Sequence, residues 1–97
     1  MPTADAAASV VREGNALRFS GELLRDAVPS VWRQATPLVS GVDRFDLARV
    51  GRVDSAGVAL LAALAARAGG VSIDGAPVGL ADLRGAYRLG PDLAFAH

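Results

Sequence analysis

The side chains that could do chemistry in this chain gather at one junction. Asp54 and Ser55 stand side by side in RVDSAG, and behind them Ala56 to Ala66 carries no charged residue. A serine beside a carboxylate has three uses: nucleophile, acceptor of a phosphoryl group, or hydrogen-bonding partner. A nucleophilic serine needs a base within reach to take its proton. The single histidine is His97, the last residue, where fraying is the default. A hydrolase built on Ser55 is therefore excluded, and with no cysteine there is no thiolate, disulfide or cysteine-metal chemistry. Glu22 and Asp46 superficially resemble paired carboxylates for acid–base work, but nothing suggests a second group beside Glu22, which fits a turn better.

What remains at the junction is binding. The oxygen of Asp54 or of Ser55 can accept an orphan backbone N–H and cap the helix that follows. The same helix start carries partial positive charge and favours an anion. Ser55 thus reads as a cap, a phospho-acceptor or a contact for a partner, the cap being commonest. Gly57 is costly inside a helix, which points to something pressing near it.

The run behind the junction predicts a helix over Ser55 to Ala68, ended by Gly69-Gly70. At about 100° per residue, Gly57, Leu60, Leu61, Leu64, Ala65 and Ala68 share one side. Ala59, Ala62, Ala63 and Ala66 share the other, with Arg67 at the boundary. A surface helix normally turns charge to water, whereas this one turns only methyl groups. One reading is a docking face for another protein. The other is that alanine is simply the best helix former. The absence of Glu, Lys and Gln from Ala56 to Ala66 favours docking.

Other elements must hold this helix. Strands are expected at Ser9 to Arg12 and Ala16 to Ser20, joined by a Gly14-Asn15 turn. A helix capped by Asp26 should follow, with Val28, Val31, Trp32, Ala35, Leu38 and Val39 at helical spacing. Pro37 should end or kink it near Thr36. Trp32 reads as a core residue. Val42 to Leu47 reads as a third strand and Val71 to Asp74 as a fourth. A last helix is expected over Val78 to Leu89, stopped by Gly90-Pro91. Asp92 to His97 either forms an edge strand or lies loose. The order, a hairpin and then strands alternating with helices, implies a mixed sheet.

Composition sets the class. The 97 residues are 52% hydrophobic, enough for one core and no second. Ten basic residues, all arginine, balance ten acidic ones. No basic patch argues for nucleic acid. Asp43, Arg44, Arg49 and Arg52 read as a solvated rim, with Arg49 and Arg52 in the loop before Ser55 able to pair with acidic groups on a partner. No secretory signal is visible, and the longest uncharged run falls short of the roughly 20 residues of a membrane span. The expectation is one domain over residues 1–97 with a flexible lead, 1–8, cytoplasmic and without direct membrane insertion.

FDLARVGRVDSAGVALL, Phe45 to Leu61, resembles the signature of STAS domains, the sulfate-transporter and anti-sigma-factor-antagonist family: a strand, a short loop, then Asp-Ser/Thr-x-Gly opening a helix. RFSGEL, Arg18 to Leu23, is similar to the family's second strand and Gly-Glu-Leu turn. SGELLRDAVPSVW with Trp32, and YRLGPDL, resemble the branch that serves phospholipid-transport ABC complexes of Gram-negative bacteria. The resemblance runs from about Val10 to Leu93. It implies an α/β fold: a STAS-like mixed sheet of about four strands, with three helices packed mainly on one face. It implies a non-enzymatic accessory subunit with no cofactor. The implied partner is the ABC ATPase of an inner-membrane complex that maintains outer-membrane lipid asymmetry, and indirectly its permease. Asp54, Ser55, Gly57, Ala59, Ala62, Ala63 and Ala66 would form the contact, Ser55 falling where the branch needs a hydroxyl. The alternative it implies is an anti-sigma-factor antagonist phosphorylated at Ser55. Leu24 stands where such antagonists usually have an aspartate, which weakens that alternative, but it departs from much of the transporter branch too and so discriminates only in part.

Overall fold

Gly14 and Asn15 fold the chain back on itself, Gly14 taking the positive φ, 61°, that a tight turn requires. The computed structural model describes residues 8–88. In it the turn joins β1 (Ser9–Glu13) to β2 (Ala16–Ser20) in an antiparallel pair, Val10 opposite Phe19 and Glu13 opposite Ala16. That last pair carries β1 one residue beyond the expected end. Of the lead 1–8, only Ala8 is described, and it is buried.

β3 (Arg44–Arg49) lies parallel to β2, and β4 (Ser72–Asp74) parallel to β3, giving the order β1-β2-β3-β4. β3 starts two residues later than its apolar pattern predicts. Val42 is buried, but its N–H closes a turn onto the Val39 carbonyl, and the Asp43 N–H is held by Asn15. Arg49 accordingly ends β3 instead of lying in the loop after it.

Three helices complete the described residues: α1 (Val28–Ala35), α2 (Ser55–Ala68) and α3 (Leu80–Ala86). α2 has the predicted bounds. Asp26 does not cap α1. It lies in a 3-10 turn (Arg25–Ala27), and Ala27, in the capping position, has no side-chain acceptor. Pro29 sits in the first turn, where a missing N–H does no harm. Pro37 acts as expected, and α1 gives way at Thr36 to a 3-10 turn (Thr36–Leu38). α3 begins later than predicted because Val78 is engaged elsewhere. Its N–H donates to the Gly51 carbonyl, its own carbonyl accepts from Val53 N–H, and it pairs with Arg52 as a short parallel bridge. Leu89, Gly90-Pro91 and the tail Asp92 to His97 lie outside the described residues.

The sheet has two unlike faces. On one, Leu17, Phe19, Phe45 and Leu47 are buried beneath Val31 and Ala35 of α1, Val58, Leu61 and Leu64 of α2, and Leu80 of α3. The Phe19 and Phe45 rings meet edge to face at 5.3 Å, a favoured aromatic geometry. On the other face Arg18 lies between Glu13 (2.8 Å) and Asp46 (3.6 Å), and Arg44 meets Asp74 at 3.3 Å. Period-two alternation in β2 and β3 produces this split, and it leaves the helices packed on one face.

Candidate functional site

The loops that follow β2, β3 and β4 come together at one end of the sheet. The Leu23 N–H donates to the Arg52 carbonyl (3.0 Å), and the Asp54 N–H donates to the Leu23 carbonyl (3.4 Å). Leu23 and Val53 form a parallel bridge of their own. Pairing of the strands is thus interrupted after Ser20 and resumes for one residue on each side of Val53. This stitching fixes Asp54 in extended conformation (φ −111°, ψ −174°), as a capping residue should be.

Asp54, not Ser55, is the cap. Its Oδ1 accepts the Gly57 N–H at 2.9 Å, and its Oδ2 accepts the Arg25 N–H, also at 2.9 Å. One carboxylate therefore closes the start of α2 and ties it to the turn leading into α1. Desolvation pushes this carboxyl up, but the N–H groups of Gly57 and Arg25, with those of Ala56 and Asp54 itself, outweigh it and hold it below the ordinary aspartate value. With capping taken over by its neighbour, the Ser55 side chain stands exposed at the first position of the helix.

Gly57 has an intramolecular reason to be glycine. It is buried, and a Cβ there would lie 2.0 Å from the Leu23 carbonyl oxygen. What presses near is the chain's own backbone, so Gly57 supports the site from beneath and is not part of its surface. The inward side of α2 is Gly57, Val58, Leu60, Leu61, Leu64 and Ala65, all buried. Ser55, Ala59, Ala63 and Ala66 are exposed at helical spacing, a stripe about 16 Å long. Ala62 is half-buried at its flank and packs on the core.

The stripe ends at an aromatic contact that sequence spacing did not indicate. Trp32 of α1 is half-buried against the core, and the Arg67 guanidinium carbon lies 5.0 Å from the centre of its ring. At the other end, Glu22 and Arg52 approach to 3.8 Å, each a little over half exposed. Glu22 and Asp46 have separate partners, Arg52 and Arg18, and form no carboxylate pair. Arg44 is engaged with Asp74 on the open sheet face, and Asp43, Arg49 and Arg52 are exposed. Val78, bridged to Arg52, is 69% exposed beside the loops. Its place could have been read only from the long-range pairing that holds it.

This arrangement offers a helical ridge of small side chains with a hydroxyl at its head. Comparison with known proteins gives it a family. A family model described as "Mlab, STAS domain" matches residues 7–91. The Escherichia coli (strain K12) protein "Intermembrane phospholipid transport system binding protein MlaB" is 42% identical over 53 residues, 55% of each chain. The protein of the same name from Shigella flexneri matches with the same identity and coverage. The chain thus spans about half the length of the curated relatives it matches. A solved chain described as "Crystal Structure Analysis of Mglu" aligns with 73% of this chain and 19% of its own length, at 27% identity and a TM-score of 0.49. Since the family model covers all of the described residues, the Asp-Ser-x-Gly junction included, the chain belongs to the STAS-domain family in its MlaB form.

Proposed function

We propose that this chain is a non-catalytic subunit that binds the ATPase of a phospholipid-transport ABC complex, using the stripe Ser55, Ala59, Ala63 and Ala66 of α2. The observation that carries the reading is the make-up of that stripe. Its side chains end in methyl groups or a hydroxyl, while the opposite side of the helix is buried in the core. Small side chains let a partner's backbone approach closely, and their burial leaves no charge unpaired. The MlaB relatives are named as binding proteins of an intermembrane phospholipid transport system, which supplies the kind of assembly.

Within this reading Asp54 positions Ser55, Gly57 lets α2 seat against Leu23, and Ala62 braces the flank. Glu22, Arg52 and Val78 form the rim beyond Ser55. Among the described residues no helix is long and apolar enough to cross a membrane. Attachment to the inner membrane, from the cytoplasmic side, would come through the complex.

The test is co-purification with the ATPase of a phospholipid-transport ABC complex from the same organism. Ala63→Glu should abolish recovery of the ATPase and leave the circular-dichroism spectrum unchanged, because position 63 is exposed. Ala59→Arg should do the same. Wild-type recovery with both variants would remove α2 from the interface.

A further inference from the structure

The β1 edge of the sheet is already occupied by the side chain of Gln34. Among the described residues β1 is an outer strand, so alternate N–H and C=O groups along it point away from β2. Gln34 lies on α1, which packs beside that strand. Its Oε1 accepts the Val10 N–H at 3.1 Å, and its Nε2 donates to the Ala8 carbonyl at 3.4 Å. An N–H at one position and a C=O two residues earlier is the pair that one residue of an added parallel strand would engage. Nε2 also donates to Ser30 Oγ at 3.0 Å, one helical turn back, which fixes the amide's orientation. Towards the other end of β1, Arg12 is drawn across to the carbonyls of Leu38 (2.9 Å) and Ser40 (2.6 Å). The opposite edge needs less protection, since β4 is three residues long.

We propose that the Gln34 amide acts as a surrogate strand and keeps β1 from pairing with the β1 of a second copy of this chain. The geometry supports that occupant. The edge is five residues long, its Val11 is 49% exposed on the open face, and two identical edges can meet antiparallel about a twofold axis. A second copy must take the Val10 N–H from Gln34 before it can form a ladder. This inference is independent of what α2 binds.

The experiment measures molar mass by light scattering over a concentration series of the full chain, with hydrogen exchange at Val10. Gln34→Ala should associate at about thirtyfold lower concentration than wild type, the equivalent of one lost competing hydrogen bond in each of the two copies. Val11→Glu added to it should restore the wild-type mass. That carboxylate would lie opposite Arg18 within the chain but repel its own copy across a twofold edge. Equal masses for Gln34→Ala and wild type at every concentration would overturn the proposal. So would association that Val11→Glu leaves unchanged, which would indicate exposed core instead of a paired edge. Where Gln34→Ala fails to fold, Gln34→Glu is read the same way. It keeps the acceptor for Val10 and loses the donor to Ala8, so it should associate at a lower concentration than wild type, and a mass identical to wild type overturns the idea equally.

Discussion

Asp54 shows how much one side chain can determine. Its two oxygens hold N–H groups from different segments, so Asp54→Ala removes a cap and a tertiary bond together. The expected loss is about 2 kcal/mol, and Asp54→Asn, still able to cap, should lose about half of that. Urea denaturation at neutral pH measures both. The pH dependence has a definite sign. The folded carboxyl titrates below the unfolded one, so its contribution is full above the ordinary aspartate pKa of about 4 and fades as pH falls through the lowered folded value. The stability gap between wild type and Asp54→Ala should therefore narrow from pH 7 to pH 3, and a gap that stays constant refutes the assignment. Gly57→Ala tests the backbone approach by its sign. In an open helix alanine would stabilise by about 0.5–1 kcal/mol. Here Leu23 must move, and a loss of about 1–3 kcal/mol is expected. Sequence revealed that a glycine at 57 needs a reason and that 54 or 55 caps. It could not show that a carbonyl from residue 23 fills the space, because that approach is set by strand pairing far along the chain.

Among the elements, α2 was legible at both ends and α3 was not, for a physical reason. α2 carries its own boundaries: an aspartate that caps locally and Gly69, which takes a left-handed φ of 89° and returns its N–H to the last turn. The start of α3 depends on Val78, whose backbone is claimed by Gly51 and Val53 across the loop bundle, and no local pattern announces that. The helical wheel of α2 placed Gly57, Leu60, Leu61, Leu64 and Ala65 inward and Ala59, Ala63 and Ala66 outward, because a single face needs only periodicity. It missed at the flanks, where Ala62, expected outside, is half-buried against the core and Ala68, expected inside, is only half-buried. The contact between α1 and α2 through Trp32 and Arg67 needed their mutual placement. Arg67→Ala should cost no more than about 1 kcal/mol but change the emission of Trp32, the only tryptophan. An unaltered fluorescence spectrum would mean that the guanidinium does not sit over the ring in solution.

For the molecule as a whole, the two sheet faces should respond very differently to substitution. Phe45→Ala empties space at the centre of the core and should cost about 3–5 kcal/mol, whereas Arg18→Ala on the solvated face should cost under about 1 kcal/mol. Thermal melts of the two variants make the comparison, and similar losses would contradict the one-sided layering. The hairpin turn adds a practical consequence. Gly14 and Asn15 precede β2, while Ser55 follows β3, which runs parallel to it, so the two sites occupy opposite ends of the sheet. The chain has no cysteine, and the Asn15 side chain is exposed, so Asn15→Cys gives a uniquely reactive handle for a dye or spin label. Such a label sits at the pole away from the hydroxyl, where it can track tumbling and distance in an assembled transporter without crowding the ridge.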